Sequence, residues 1–494
     1  MDNSDIMTKN GIRVLRQTAK LKLKDLATAS GVSAETIKLI ERGLCELSFE
    51  TASLLSAPLG TSAEALLEVH RTFMSAATPG EGYTTNLQEG AVVIPPSLPI
   101  EVNDPRLKVV DLFCGAGGLS YGFERTGKFV TVAGLDLLKD RIETFTANHQ
   151  HAFGLAADIR KTQPESILEL TGPVDVVVGG PPCQGFSSIR PFRNLTEQDP
   201  RNSLVEHYVL MLVALQPKWF VFENVVGLVS HEGGRKLEAI IEAFTDAGYK
   251  VSWRIVNAAS FGIPQNRERV VIVGNREGVE FEFPRPTHFT EYRSMAGRRK
   301  ELLQAEPLFD QSLLPAVSLI EAIGDLPSVN SGEEVRSYRN VESLTPYQSY
   351  IRDGAQELTW HRATQHSEKM MEIIRHAGSS IACLPAGMVT SGFSSCYSRL
   401  DAHRPSNTIT VNFVHPSSNR CIHPYQHRAL TPREGARIQS FPDTFDFCGT
   451  SAQVVKQIGN AVPPKLGQVI AEKIWNTRSS HPSQRASLLV EVDD

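Results

Sequence analysis

The sequence predicts an α/β protein: a mostly parallel, doubly wound sheet carrying an inserted domain and preceded by an all-α N-terminal unit. Three observations carry this expectation. Apolar, β-rich runs recur from residue 107 onward, most of them separated by segments of helical spacing, an alternation that builds a parallel sheet with helices on both faces. The first seventy residues instead place apolar side chains only at helical intervals. Between 286 and about 398 the alternation disappears, as expected where a separate unit is inserted.

The N-terminal helices are marked by Ile12, Leu15, Leu23, Leu26, Val32, Ile37, Ile40 and Leu54. Within KDLATASGVSAETIKLIERG a helix is followed by a turn at Gly31 and by Ser33 in the N-cap position of a second helix. A helix-turn-helix offers its second helix to a major groove in this way, which would turn Thr36 and Lys38 toward DNA. Over about 60 residues the segment resembles the helix-turn-helix of phage-repressor-like regulators; a small packing or dimerisation module is the competing reading. Residues 1–75 are therefore expected to form a DNA-binding domain. Residues 76–105, rich in Pro, Gly, Thr and Asn, read as a linker.

The expected strands are LKVVDLF, FVTVAGL, VDVVV, KWFVF, KVSWRIV and RVVIVG. Ligands of such sheets bind beyond the carboxyl ends of the strands, so those ends deserve the closest reading. The first empties into DLFCGAGGLS, where Gly115, Gly117 and Gly118 permit a tight turn and close approach of a ligand. The spacing is not that of a dinucleotide fingerprint. Asp136 and Asp158 follow at neighbouring strand ends. Carboxylates accept from ribose hydroxyls and an exocyclic amine and attract a positive centre, but repel pyrophosphate, so a nucleoside is favoured over a dinucleotide. After VDVVV comes GGPPCQGFS, in which Pro181 and Pro182 stiffen a loop that carries Cys183. A cysteine in a Gly/Pro loop at a ligand-binding edge reads as reactive. Glu223, in FENV, ends the next strand.

With DLFCGAGG, Asp136, Asp158, GGPPCQGFS, FENV, QNRERVVIVG, RPSNTIT and QIGNAVPPKLG in that order, the segment 107–475 resembles the DNA (cytosine-5-)-methyltransferases. The resemblance implies a catalytic domain in two parts, 106–285 and 399–478, a target-recognition domain at 286–398 and a loose tail at 479–494. It implies Cys183 as the nucleophile that adds to carbon 6 of cytosine, and Glu223 as the proton donor to ring nitrogen 3, its proton retained by an apolar wall including Phe222. Arg267 and Arg269 would hold the base oxygen or orient Glu223. The cofactor would be S-adenosylmethionine, held by Phe113, Gly115, Gly117, Gly118, Asp136, Leu137, Asp158, Ile159 and Asn460, with Leu137 standing where the family often has an aromatic residue. The target must leave the duplex, with Gln184 and Ser187 among the participants.

No metal is expected, since Cys421, His423 and His427 lack a second cysteine pair for a zinc site. Seven scattered cysteines without a CxxC pair point to reduced thiols, and the polar, acidic start MDNSDIMTKNG lacks a secretion signal, so a cytoplasmic, nucleoid-associated protein is expected. A net charge of −5 carries no global sign of nucleic acid. Residues 345–440, however, hold ten Lys/Arg against six Asp/Glu. The resemblance further implies duplex DNA as substrate, a restriction-modification setting with a genetically linked endonuclease, autoregulation through the N-terminal domain, and a dimer formed by it. Two alternatives are a DNA-binding regulator with an inactive catalytic domain and an RNA cytosine methyltransferase.

Overall fold

The computed structural model describes residues 11–41, 47–76, 91–101, 103–182, 203–290, 313–389 and 392–479. The chain opens with helices α1 (Gly11–Thr18), α2 (Leu23–Ser30), α3 (Ala34–Glu41), α4 (Phe49–Leu59) and α5 (Ala63–Ala76). Gly31 turns between α2 and α3 with a φ of 75°, and the Ser33 hydroxyl accepts the Thr36 N–H at 3.0 Å. Both features expected of the helix-turn-helix are present. Ile12, Leu26, Val32, Ile37, Ile40, Leu55 and Leu66 close a small core of their own. Leu54, expected there, is exposed, and its neighbour Leu55 takes the buried place.

The sheet comprises β1 (Val92–Ile94), β2 (Leu107–Leu112), β3 (Phe129–Asp136), β4 (Phe153–Ala156), β5 (Val176–Gly179), β6 (Trp219–Val225), β7 (Lys250–Asn257) and β9 (Glu268–Asn275), with the two-residue β8 (Gln265–Asn266) apart from it. Its order is β1-β4-β3-β2-β5-β6-β9-β7. Strands β4, β3, β2, β5 and β6 are parallel; β1 and β9 run against their neighbours. The 76–105 segment is thus not linker throughout, because Val92–Ile94 pairs with Phe153–Ala156 as an edge strand. Three residues before a Pro-Pro pair are too few to show a period.

Alternate residues of the central strands feed two cores, which is why the runs read as continuously apolar. Val110, Leu112, Val177, Phe220, Phe222 and Ile272 pack with helices α8 (Pro164–Thr171), α9 (Ser203–Leu215) and α11 (Arg235–Asp246), the short α10 (Gly227–Ser230) lying between the last two in sequence. Val109, Val176, Val178, Val221 and Val271 face the other way, onto α6 (Gly118–Glu124) and the last helix, α17 (Pro464–Ser479). Helix α7 (Lys139–Asn148) covers β3 and β4.

Glycines set the contact of α6 with α17. A Cβ on Gly122 would lie 2.1 Å from the Pro464 carbonyl oxygen, and one on Gly467 2.5 Å from that of Leu119. Helix α17 is therefore seated backbone to backbone on α6, which follows the first glycine-rich turn.

Beyond the sheet, β10 (His288–Phe289) pairs with β11 (Leu314–Pro315), and α12 (Leu319–Ile323), α13 (Pro346–Arg352) and α14 (Glu368–His376) follow. The segment does not keep its hydrophobic residues to itself. Leu319, Ile323, Ile351 and Leu358 share one core with Phe413, Phe441, Val454 and Ile458, of which the last two lie on α16 (Ser451–Asn460). Helix α15 (Pro432–Ile438) adds Ala436 and Ile438, and the short β12 (Ser406–Asn407) pairs with β8. Among the described residues no helix is long and apolar enough to cross a membrane.

Candidate active site

Strand order reverses between β2 and β5, whose chains leave toward opposite halves of the sheet, and that switch point opens the crevice in which such sheets bind ligands. Leu135, Leu112, Gly179 and Phe222 form one transverse row across β3, β2, β5 and β6. One residue further on, the same four chains present Asp136, Phe113, Gly180 and Glu223. Residues distant in sequence are thus delivered side by side by register alone.

On the β2 side, Phe113 adopts φ 61°, a left-handed conformation rare for an aromatic residue and a mark of functional sites. Gly115 follows with φ +54° and nothing within 4 Å of where a Cβ would lie; its N–H donates to Asp136 Oδ2 at 3.1 Å. Leu138 N–H donates to Asp136 Oδ1 at 3.0 Å. Each carboxylate oxygen therefore keeps one lone pair for another donor. Burial pushes the Asp136 carboxyl up, and the two backbone donors oppose that rise. Leu137 beside it is 63% exposed, an apolar surface standing open at a polar edge. Asn460, the last residue of α16, is exposed. Among the described residues, these groups fit a nucleoside: an open glycine, a carboxyl with free acceptor capacity and an uncovered apolar face.

Four other expected pocket residues are differently employed. A Cβ on Gly117 would lie 2.4 Å from His149 Cε1, and one on Gly118 2.3 Å from the Val462 carbonyl oxygen. These glycines admit protein, not ligand, at their missing side chains. Ile159 is buried in the sheet core. Asp158 is gripped by Arg160, whose Nε and Nη2 donate at 2.9 and 2.6 Å to its two oxygens, and that guanidinium holds the Asp158 carboxyl below its ordinary range.

On the β5 side, the loop toward Cys183 is described as far as Pro182; Cys183, Gln184 and Ser187 lie outside the described residues. A Cβ on Gly180 would lie 3.0 Å from Glu223 Oε2, so this chain passes close beside the carboxylate. Asn224 Nδ2 donates to the Pro181 carbonyl at 3.1 Å and ties the loop to β6. Phe222 does not wall Glu223. Phe222 packs instead against Tyr208 and Phe244 in the core, while Glu223 Oε1 is 2.8 Å from Arg269 Nε. The alternation of a strand sends consecutive side chains to opposite faces, so Phe222 could not have walled its neighbour.

Arg267 completes the cluster. It is 2% exposed, its Nη2 donates to the Ala461 carbonyl at 2.9 Å and its Nη1 to that of Ile409 at 3.4 Å. Among the described residues its Nε has no partner. Burial, then repulsion by Arg269, disfavours its charge, and Glu223 opposes this. Glu223 thus lies against Gly180 at the outlet of β5, paired with Arg269, and Arg267 lies close enough to interact electrostatically with both. Asn224 in FENV and Gln265 in QNRERVVIVG also serve the site, Asn224 holding Pro181 and Gln265 holding Ile409; a polar amide beside an apolar strand run is the sequence signal for both. The Thr36 hydroxyl lies 2.8 Å from that of Ser33, and the side chain of Lys38 is outside the described residues.

Residues 107–476 match the C-5 cytosine-specific DNA methylases, and residues 12–66 match a helix-turn-helix family. The chain belongs to the C-5 cytosine-specific DNA methylase family. It is 35% identical over 373 residues to the Type II methyltransferase M1.HphI of Haemophilus parahaemolyticus, covering 74% of this chain and 86% of that one. To M.AgeI of Thalassovita gelatinovora it is 32% identical over 439 residues, covering 74% and 99%. A solved prophage-encoded E. coli chain described as a DNA modification methyltransferase matches in fold with TM-score 0.57 at 24% identity, covering 76% of this chain and 100% of that one. This C-5 methylase is therefore an enzyme of DNA modification with a helix-turn-helix at its N-terminal side.

Proposed function

We propose that this methylase transfers a methyl group from S-adenosylmethionine to carbon 5 of a cytosine swung out of duplex DNA, through a transient bond from Cys183 to carbon 6. The observation that carries the reading is the convergence on one sheet edge of Glu223, Arg269 and Arg267 with the loop leading to Cys183. Carbon 5 of cytosine is a poor nucleophile. Addition of the Cys183 thiolate to carbon 6 moves electron density onto carbon 5, and the negative charge that develops toward nitrogen 3 is met by a proton from Glu223. Arg269 orients Glu223, and Arg267 offers positive charge to the base oxygen from a site shielded from water. When bound, S-adenosylmethionine supplies an electrophilic methyl group. Phe113, Gly115, Asp136, Leu137 and Asn460 would hold it. Loss of the carbon 5 proton and expulsion of the Cys183 sulfur then restore the aromatic ring.

The N-terminal helices bind DNA through α3, with Thr36 and Lys38 toward the groove, and dimerise to control expression of their own system, in which an endonuclease is genetically linked. The setting is cytoplasmic. The exposed Arg362, Arg375, His403, Arg404 and His427 and the glycine-flanked loop with Gln184 and Ser187 engage the duplex around the extruded base. Transfer of tritium from labelled S-adenosylmethionine into DNA tests the catalytic reading. Wild type labels cytosine carbon 5, Cys183→Ala gives none, and Glu223→Gln loses about a hundredfold or more in rate. Undiminished labelling by Cys183→Ala contradicts it.

A further inference from the structure

Behind the catalytic face, hydrogen bonds close a ring through four segments far apart in the chain. Gln265 Oε1 accepts the Ile409 N–H at 2.9 Å, and the Ile409 carbonyl accepts Arg267 Nη1 at 3.4 Å. Arg267 Nη2 donates to the Ala461 carbonyl at 2.9 Å, which also accepts Gln439 Nε2 at 3.2 Å. Gln439 Oε1 accepts Gln265 Nε2 at 2.9 Å and completes the circuit. Both glutamines are fully buried. The second donor bond of Gln439, to the Ile458 carbonyl at 2.7 Å, fixes the end of α16.

Arg267 needs such support. Among the described residues it has no carboxylate within ion-pair distance, and Arg269 repels it. Only two carbonyls hold its terminal nitrogens, and one of them is shared with Gln439. The shared carbonyl belongs to the residue after Asn460, and the next residue, Val462, lies against Gly118 of the glycine-rich loop. One short stretch of backbone thus touches both the cofactor side and the base side of the crevice.

We propose that Gln439 is a positioning residue: by sharing the Ala461 carbonyl with Arg267 and pinning the end of α16, it aims the Arg267 guanidinium for methyl transfer. This rests on the reading of Arg267 as a base-facing residue. Without the Gln439 amide, the Ala461 carbonyl is free to swing and Arg267 loses the fixed orientation on which an electrostatic contribution in a dry site depends.

A double-mutant cycle on the full chain tests this, with single-turnover methyl transfer measured at saturating S-adenosylmethionine and duplex DNA, per molecule able to bind the cofactor. Gln439→Met is expected to slow transfer about tenfold and Arg267→Ala about a hundredfold, while the double variant is no slower than Arg267→Ala, a coupling of the size seen for directly interacting residues. A purely structural role predicts independent, multiplicative losses, and that result overturns the inference while leaving Arg267 its place. If Arg267→Ala transfers at the wild-type rate, both the inference and the base-facing assignment fall. Should Gln439→Met not yield folded protein, Gln439→Glu serves in its place; it keeps the acceptor for Gln265 and removes the donors to Ala461 and Ile458.

Discussion

Two of the buried arginines of this molecule, Arg437 and Arg267, differ in their partners. Arg437 on α15 is fully enclosed between Asp325 and Asp443: Nη1 lies 2.5 Å from Asp325 Oδ1, and Nε and Nη2 lie 2.9 and 2.5 Å from the oxygens of Asp443. Arg352 adds a bond to Asp325 at 2.8 Å and Tyr338 one to Asp443 at 2.6 Å. The carboxylates push the Arg437 pKa up and hold Asp443 below its ordinary range. At the switch point the pattern is reversed: Arg267 has carbonyls in place of carboxylates, and burial drives its pKa down. A saturated cluster fastens the inserted segment to the closing part of the chain. An unsaturated one keeps positive charge available, at a cost in stability that only a function explains.

The sharpest way to break the comparison is to remove each guanidinium. Arg437→Met leaves two carboxylates buried without their partner, so unfolding in urea should show a loss of about 3–5 kcal/mol. Arg267→Met removes a charge that lacks a counterion, so the stability loss should stay below about 1 kcal/mol, while the single-turnover rate falls about 10²–10³-fold. Equal stability losses would erase the distinction between the clusters.

Glycines extend the contrast on a smaller scale. Gly122→Ala forces a methyl group to 2.1 Å from a backbone oxygen of α17, and overpacking of that kind costs about 1–3 kcal/mol; S-adenosylmethionine affinity, measured by calorimetry on folded protein, should not change. Gly115→Ala meets open space and should instead weaken that affinity about tenfold, ~1.4 kcal/mol.

The smallest effect concerns pH. Asp111, at the heart of β2, receives the Ser120 hydroxyl at 2.6 Å, and Ser120 in turn lies 3.1 Å from His149 Nε2. Burial raises the Asp111 pKa to about 7, with a further push from Asp136. An unfolded aspartate has lost its proton near pH 4, so between pH 4 and 7 the native state binds more protons than the unfolded state. The stabilisation is complete below pH 4 and is lost as pH rises through about 7. Asp111→Asn cannot titrate, so its urea midpoint should fall less than that of wild type between pH 5 and 8. Parallel curves would mean that Asp111 is ionised throughout.

The same contrast explains what could be read in the sequence. The strands were legible because β-branched runs such as VDVVV are buried on both faces, and the edge of the candidate site was legible because Asp136 and Glu223 stand at strand ends in order. Three things were not. Val92–Ile94 is too short to show a period. The turn of Phe222 away from Glu223 follows from strand alternation, which the apolar wall overlooked. The partners of Gly118, Arg267 and Gln439 come from the far end of the chain, and nothing local to those residues announces what lies against them. Asp158 failed as a free acceptor for a nearer reason, an arginine two positions on that reaches back to it.

The central claim is a bond between sulfur and pyrimidine. Duplex DNA bearing 5-fluorocytosine in the target site blocks the final proton loss, so incubation with wild-type protein and S-adenosylmethionine should leave a denaturation-resistant complex, cross-linked through the peptide that contains Cys183. Cys183→Ala should give no such complex. Methylation of ordinary DNA by a wild-type protein that is never trapped on the fluorinated site, or trapping through a different residue, would contradict the account.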